Sequence, residues 1–184
     1  TQTSSVGGGG GLIVASGASV PRTGGFVIDN GEVRGNGAVN SALNVQTGLL
    51  RAMDITTSNT PGTLNLSGGL TLGSAAMLKT YIAGTTAGSS TGYGQVVSSS
   101  AVTLDGTLKV ETVGGFSPSS GQSYDVLTAP SITGTFSSTD LPTLASGLTW
   151  SVAYTGSSVR LTVGGTITSG PTATSLSEIG GTAA

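Results

Sequence analysis

Aliphatic residues in this chain return at every second position in short runs, and the runs are broken by glycine or by Asn-Gly and Asp-Gly pairs. "GTLNLSGGLTLG", residues 62–73, holds two such units, Leu64 with Leu66 and Leu70 with Leu72, with Thr or Asn on the opposite phase. A period of two belongs to an extended strand with one buried face, whereas a helix needs apolar positions three and four apart. "SAAMLKTYIAG", 74–84, contains good helix formers. Even there Met77, Lys79 and Tyr81 alternate with Leu78, Thr80 and Ile82, and the segment reads as a strand. The chain is therefore expected to be all-β, built of many short strands joined by turns.

Composition narrows what such a body can do. Charged residues make up 8%, the net charge is −2 and the mean hydropathy is +0.25, which excludes wholesale disorder. Arg22, Arg34, Arg51, Lys79, Lys109 and Arg160 stand singly, so a nucleic-acid partner is not expected. Near-neutral surfaces repel one another weakly, which suits a protein packed against copies of itself or another structural protein. Cysteine is absent, and no apolar run approaches membrane-spanning length, so neither disulfides nor membrane insertion is expected. No charged-then-apolar leader opens the sequence, so export implies a removed signal or another route out of the cell.

Three regions follow from the density of apolar residues. Residues 1–11, "TQTSSVGGGGG", form a Gly-rich arm; 12–163 form the β-rich body, antiparallel from about residue 122; 164–184 form an extended tail. Turn positions fall at Asn30, Gly31, Asn36, Gly37, Asp105, Gly106 and Gly156. In "AVTLDGTLKVETV", 101–113, Val102, Leu104, Gly106, Leu108 and Val110 keep one phase straight through Asp105-Gly106. A two-residue hairpin would put apolar residues on both faces and is rejected. A three-residue loop pairing Val102 with Leu108, or a corner between stacked segments, both keep the core face intact. In "LTWSVAYTGSSVRLTV", 148–163, a four-residue loop pairs Tyr154 with Val159, Val152 with Leu161 and Trp150 with Val163 on a shared core face.

The chemistry-bearing residues are few. Histidine is absent as well, which removes the commonest general base and leaves a transition-metal site without its usual ligands. Asp105 and Glu111 share an outward phase but lie roughly 20 Å apart along a straight strand, too far for paired-carboxylate catalysis. "DNGEVRGN", 29–36, offers Asp29, Asn30 and Glu32 as a weak candidate for calcium, interrupted by Arg34; an Asn-Gly turn is the simpler reading. "GNGAVN" is half a dinucleotide fingerprint with no helix after it, and no serine has a histidine partner. Tyr81, Tyr93, Tyr124, Tyr154 and Trp150 suit core packing better than a sugar-binding platform. The expectation is a protein with no cofactor and no enzymatic activity.

The order of segments "TPGTLNLSGGLTLGSAAMLKTYIAG", "GYGQVVSSSAVTLDGTLKVETVGGFSPSSGQSYDVLTAPSITGTF" and "LTWSVAYTGSSVRLTV" resembles the C-terminal passenger region of autotransporter-type and related β-strand-repeat surface proteins. Those proteins carry a P-G-T-L-x-x-x-G-x-L strand pair, a G-Y-D-x-L-x-V segment, a G-T-L-x-V turn and a closing aromatic hairpin. The likeness covers residues 35–163, with Gly94 standing where the pattern has Asp after Gly-Tyr. It implies a β-solenoid stalk that ends in antiparallel strands, with an adhesive or structural role. No fixed repeat period is visible, so the expected body is an irregular solenoid or an elongated sandwich ending in antiparallel hairpins. The expected function is a self-associating scaffold on an extracellular, cell or virion surface, joined through its terminal arms. A phage capsid cement or tail-fibre subunit is the alternative, and a polysaccharide-active β-helix enzyme the remote one.

Overall fold

The computed structural model describes residues 4–6, 10–21, 23–56 and 59–165, and among them there is no helix. The chain advances in coils, each contributing strands to the same columns. The first coil has β1 (Ser4–Val6), β2 (Gly11–Val14) and β3 (Ser19–Pro21); the second has β4 (Phe26–Ile28), β5 (Gly31–Gly35) and β6 (Ala38–Asn40). In the third, β7 (Leu43–Asp54) spans two columns, followed by β8 (Thr60–Pro61) and β9 (Thr63–Leu66). The fourth has β10 (Leu70–Ile82), again spanning two columns, and β11 (Gln95–Ser98). The fifth has β12 (Val102–Leu104), β13 (Thr107–Thr112) and β14 (Ser123–Thr128), and the sixth has β15 (Ile132–Gly134) and β16 (Ser138–Asp140). The hairpin β17 (Leu148–Tyr154) and β18 (Ser158–Gly165) closes the chain.

Every pairing between coils is parallel, and the register slips once, between Leu72 and Ala75 of β10 where it passes from one column to the next against β7. Val33 lies beside Leu50, Leu50 beside Leu78, and Leu78 beside Leu108, at sequence separations of 17, 28 and 30. These aliphatics, with Val39, Leu64, Leu66, Leu72, Val96 and others from all three columns, form one buried core. Ser4–Val6, inside the expected N-terminal arm, pairs with Phe26–Ile28 of the same chain. The expected tail begins as strand, since Gly164 and Gly165 belong to β18; the rest of that tail lies outside the described residues.

The stacking decides the question raised by residues 101–113. Val102–Leu104 pairs with Leu70 and Thr71, and Thr107–Thr112 pairs with Met77–Ile82, so Asp105-Gly106 is a corner and not the loop of a hairpin. Gly106 has φ +76°, and a Cβ there would lie 2.2 Å from the Ala76 carbonyl oxygen of the coil beneath. Asp105 braces the corner by accepting the Gly106 N–H at 2.7 Å. Of the Asn-Gly pairs, Asn30 takes the left-handed conformation with φ 52° and Gly31 opens β5. Asn36 and Gly37 turn the next corner as expected, but with negative φ.

The closing hairpin has the register that its alternation predicts: Tyr154 opposite Val159, Val152 opposite Leu161, Trp150 opposite Val163, with Gly156 in its loop. β18 also pairs antiparallel with β14, so stacking changes from parallel to antiparallel on leaving residues 123–128. The predicted core residues Val102, Leu104, Leu108, Val110, Val159, Leu161 and Val163 are buried. Trp150, Val152 and Tyr154 are only half-buried against that core, a correction whose cause is position. They sit on β17, the outermost strand of its sheet, with no further strand to cover them.

Gly106→Ala forces an L residue into the left-handed region and drives its methyl into the Ala76 carbonyl, so we expect a loss of about 3 kcal/mol or more in urea unfolding. Gly114 has φ +64° but nothing within 4 Å of a built Cβ. Gly114→Ala should therefore lose only the backbone strain, about 1–2 kcal/mol.

Candidate functional site

The outward face of the second column carries most of the chain's described charge. In register along it lie Ile13, Arg34, Arg51, Lys79, Lys109 and Asp140, one per coil. Coils stack about 4.8 Å apart, and like charges at that spacing repel by about 1 kcal/mol even in water. Four stacked cations therefore require interleaved carboxylates, and the structure supplies them. Glu32 accepts from Arg51 and lies 3.7 Å from Arg34; Lys79 reaches Glu111 at 2.9 Å; Lys109 pairs with Asp140. Arg51 Nη1 also donates to Tyr81 Oη at 3.1 Å, and Lys79 Nζ sits 5.1 Å from the centre of the Tyr81 ring.

Burial works against the charge of Arg51, but the hydrogen bonds to Tyr81 and Glu32 outweigh it and raise its pKa. The hydrogen bond to Asp140 likewise raises Lys109. On the third column Arg160 forks onto Asp125 with two 2.7 Å hydrogen bonds. The expectation that the basic residues stand singly is thus corrected in space. Each column cation directly follows a buried aliphatic, as Val33-Arg34, Leu50-Arg51, Leu78-Lys79 and Leu108-Lys109. That recurring pair was the signal in the sequence, hidden by unequal coil lengths.

The proposed calcium residues are drawn to other partners. Asp29 Oδ1 accepts from Thr47 Oγ1 at 2.7 Å, the Asn30 N–H donates to Thr47, and Glu32 belongs to the charged column. Asp105 is committed to its own corner and Glu111 to Lys79, so this pair does not come together as an acid and base. No group of three His, Cys, Asp or Glu able to hold a metal occurs among the described residues.

The tyrosines and Trp150 separate into three places. Tyr81 is buried beneath Lys79 and Arg51, while Tyr93, Tyr124 and Trp150 form one cluster under the hairpin. Tyr93 and Tyr124 meet edge to face with ring centres 5.3 Å apart, and Trp150 Nε1 donates to the Pro142 carbonyl at 2.9 Å. Tyr154 tilts against Phe136 at 6.4 Å. Burial, then the neighbouring Tyr93, pushes the Tyr124 phenol up to about 12.

Two of the three corners stay short in every coil, but the corner leading to the third column is long in the third, fourth and fifth coils. It spans 36–37 in the second coil, then 55–62, 83–94 and 113–122. The 83–94 loop is tied by its own backbone, with Ala83 N–H to Gly92 O at 2.6 Å, Gly88 N–H to Tyr93 O at 2.7 Å and Tyr93 N–H to Thr86 O at 2.9 Å. Between the three long loops lies a cleft of about 320 Å³, lined by Asn59, Thr60, Pro61, Ala83, Ser90, Thr91, Val113 and Gly114. Local sequence gave no sign of it, because its walls come from three different coils. No protein-family model matches this chain, and no curated protein matches it.

Three outcomes test this electrostatic and aromatic framework. The side chains of Arg51 and Glu32 are 17% and 26% exposed, so Glu32→Gln, which leaves Arg51 without its carboxylate, should lower stability by about 1–2 kcal/mol in urea unfolding. Asp140→Asn, at the exposed end of the column, should leave the urea midpoint within experimental error. Because Tyr124 stays protonated in the fold up to about 12, its contribution is intact below pH 10. It is lost as the pH rises from 10 toward 12, where the unfolded chain ionises first. Tyr124→Phe should flatten that alkaline fall, read from urea midpoints on either side of pH 10.

Proposed function

We propose that this protein is a non-enzymatic structural module, an irregular β-solenoid segment of an extracellular surface stalk similar to an autotransporter passenger. The supporting observation is the continuous parallel stacking from β4 to β16, closed by the antiparallel hairpin. Strands stacked this way give a stiff body without any catalytic centre, and cross-coil ion pairs add lateral ties. Unequal coil lengths make the solenoid irregular without disturbing its columns, since the excess residues leave at one corner.

The distribution of carboxylates also favours a passive role. Glu32, Glu111, Asp125 and Asp140 are paired with Arg or Lys, while Asp29, Asp54 and Asp105 accept hydrogen bonds from turns and neighbouring threonines. General acid–base catalysis needs carboxylates held unpaired and desolvated beside a substrate. Strand edges at the two ends of the stack offer backbone groups through which copies of the chain, or another structural protein, could join it.

Cryo-electron tomography with a tag in the 155–158 loop tests this reading. Tagged rods tethered singly to a cell envelope are expected. A tagged lattice on a particle would reassign the protein to a virion shell. Turnover of any polysaccharide that disappears on Asp105→Asn would overturn the non-enzymatic reading.

A further inference from the structure

We propose that the cleft between the three long corner loops binds an uncharged saccharide, as a ligand site separate from the scaffold role. Among the described residues its lining contains no titratable side chain, so an anionic or cationic ligand would lose hydration there without gaining a counter-charge from them. What it offers is mixed on the scale of one sugar ring. Pro61, Ala83 and Val113 supply apolar surface for ring C–H groups, and Asn59, Thr60, Ser90 and Thr91 supply an amide and three hydroxyls. The side chains of Asn59, Thr60 and Ser90 make no hydrogen bond among the described residues, whereas Thr91 Oγ1 is shared with Ser89 at 3.3 Å. The three polar groups are therefore open to a ligand that both donates and accepts, as a sugar hydroxyl does.

The geometry favours a saccharide over a peptide. An extended peptide binds by completing a strand edge, and needs a row of unpaired backbone groups. The 83–94 wall offers no continuous row, because it runs as bends and turns and the N–H groups of Ala83, Gly88, Gly92, Tyr93 and Gly94 are already bonded within the chain. Those same bonds hold the wall in shape before a ligand arrives, which limits the ordering entropy of binding. The lining draws on three successive coils, about 10 Å along the stack, room for one or two pyranose rings. No aromatic ring lines the cleft, so there is no stacking platform, and the affinity should be modest, with Kd of about 1 mM for a single ring.

The test is titration of the isotopically labelled full chain, followed by its amide NMR signals. The probes are the methyl glycosides of glucose, mannose, galactose and N-acetylglucosamine. Galacturonate serves as the charged comparison and triglycine as the peptide comparison. At least one neutral glycoside should saturably shift Ser90, Thr91 and Gly114 while leaving the hairpin loop 155–158 unmoved. Asn59 has φ +61°, so Asn59→Gly keeps its backbone and deletes only the amide. That variant should weaken binding about five-fold, an effect of the size expected for one lost hydrogen bond. Ser90 is exposed, and Ser90→Phe should fill the cleft and abolish the shifts with an unchanged circular dichroism spectrum. Should Ser90→Phe disturb the fold, the Asn59→Gly titration alone decides. Absence of saturable shifts up to about 50 mM of every neutral glycoside would overturn the proposal. So would tighter binding of galacturonate or triglycine, or binding that Asn59→Gly leaves untouched.

Discussion

Parallel register between coils is the constraint from which the other features follow. Once Leu50 lies beside Val33 and Leu78, every residue before and after it has its neighbours assigned, inward or outward, along the whole stack. Inward positions must then be apolar in each coil, and the small residues Gly48, Ala76 and Gly106 meet at one corner where the backbones approach closely. Outward positions inherit the same discipline. A cation in one coil lies above a cation in the next, and only the carboxylates beside them make that arrangement tolerable. The charged column is thus a consequence of the ladder as much as a support for it.

The same ladder explains where variation is permitted. A column cannot gain or lose a residue without inverting its faces, but a corner can lengthen freely provided the chain returns to register. The short corners hold their coils together at two places, and the third absorbs residues 55–62, 83–94 and 113–122. Loops mounted side by side on a rigid frame are a common origin of binding surfaces, because the frame fixes their mutual spacing. Here that spacing leaves a neutral cleft whose walls are far apart in sequence.

The sequence disclosed what depends on neighbours along the chain and concealed what depends on neighbours across coils. The β17–β18 hairpin is an instance of the first kind: the strands of Trp150 and Val163 are joined by a short loop, so alternation on each side of Thr155–Ser158 suffices to align them. The unbroken phase across Asp105-Gly106 excluded a tight hairpin but left two possibilities, since the deciding partner, Ala76, is 30 residues away. Arg34, Arg51, Lys79 and Lys109 looked solitary for the same reason, with separations of 17, 28 and 30 that share no period. Phase also foretold the orientation of Trp150, Val152 and Tyr154 without foretelling that theirs is the last strand. Burial depends on what lies beyond a strand, and alternation carries no information about that.

The transverse ion pairs bear on how such a body responds to tension. When a stack is pulled along its long dimension, its strands lie across the line of force and the inter-coil hydrogen bonds are loaded end-on, one layer at a time. Glu32 to Arg51, Lys79 to Glu111 and Lys109 to Asp140 each tie one layer to the next at the same lateral position. They line one face of the stack, so on that face a pull is shared between partly exposed, individually weak ion pairs and the backbone ladder.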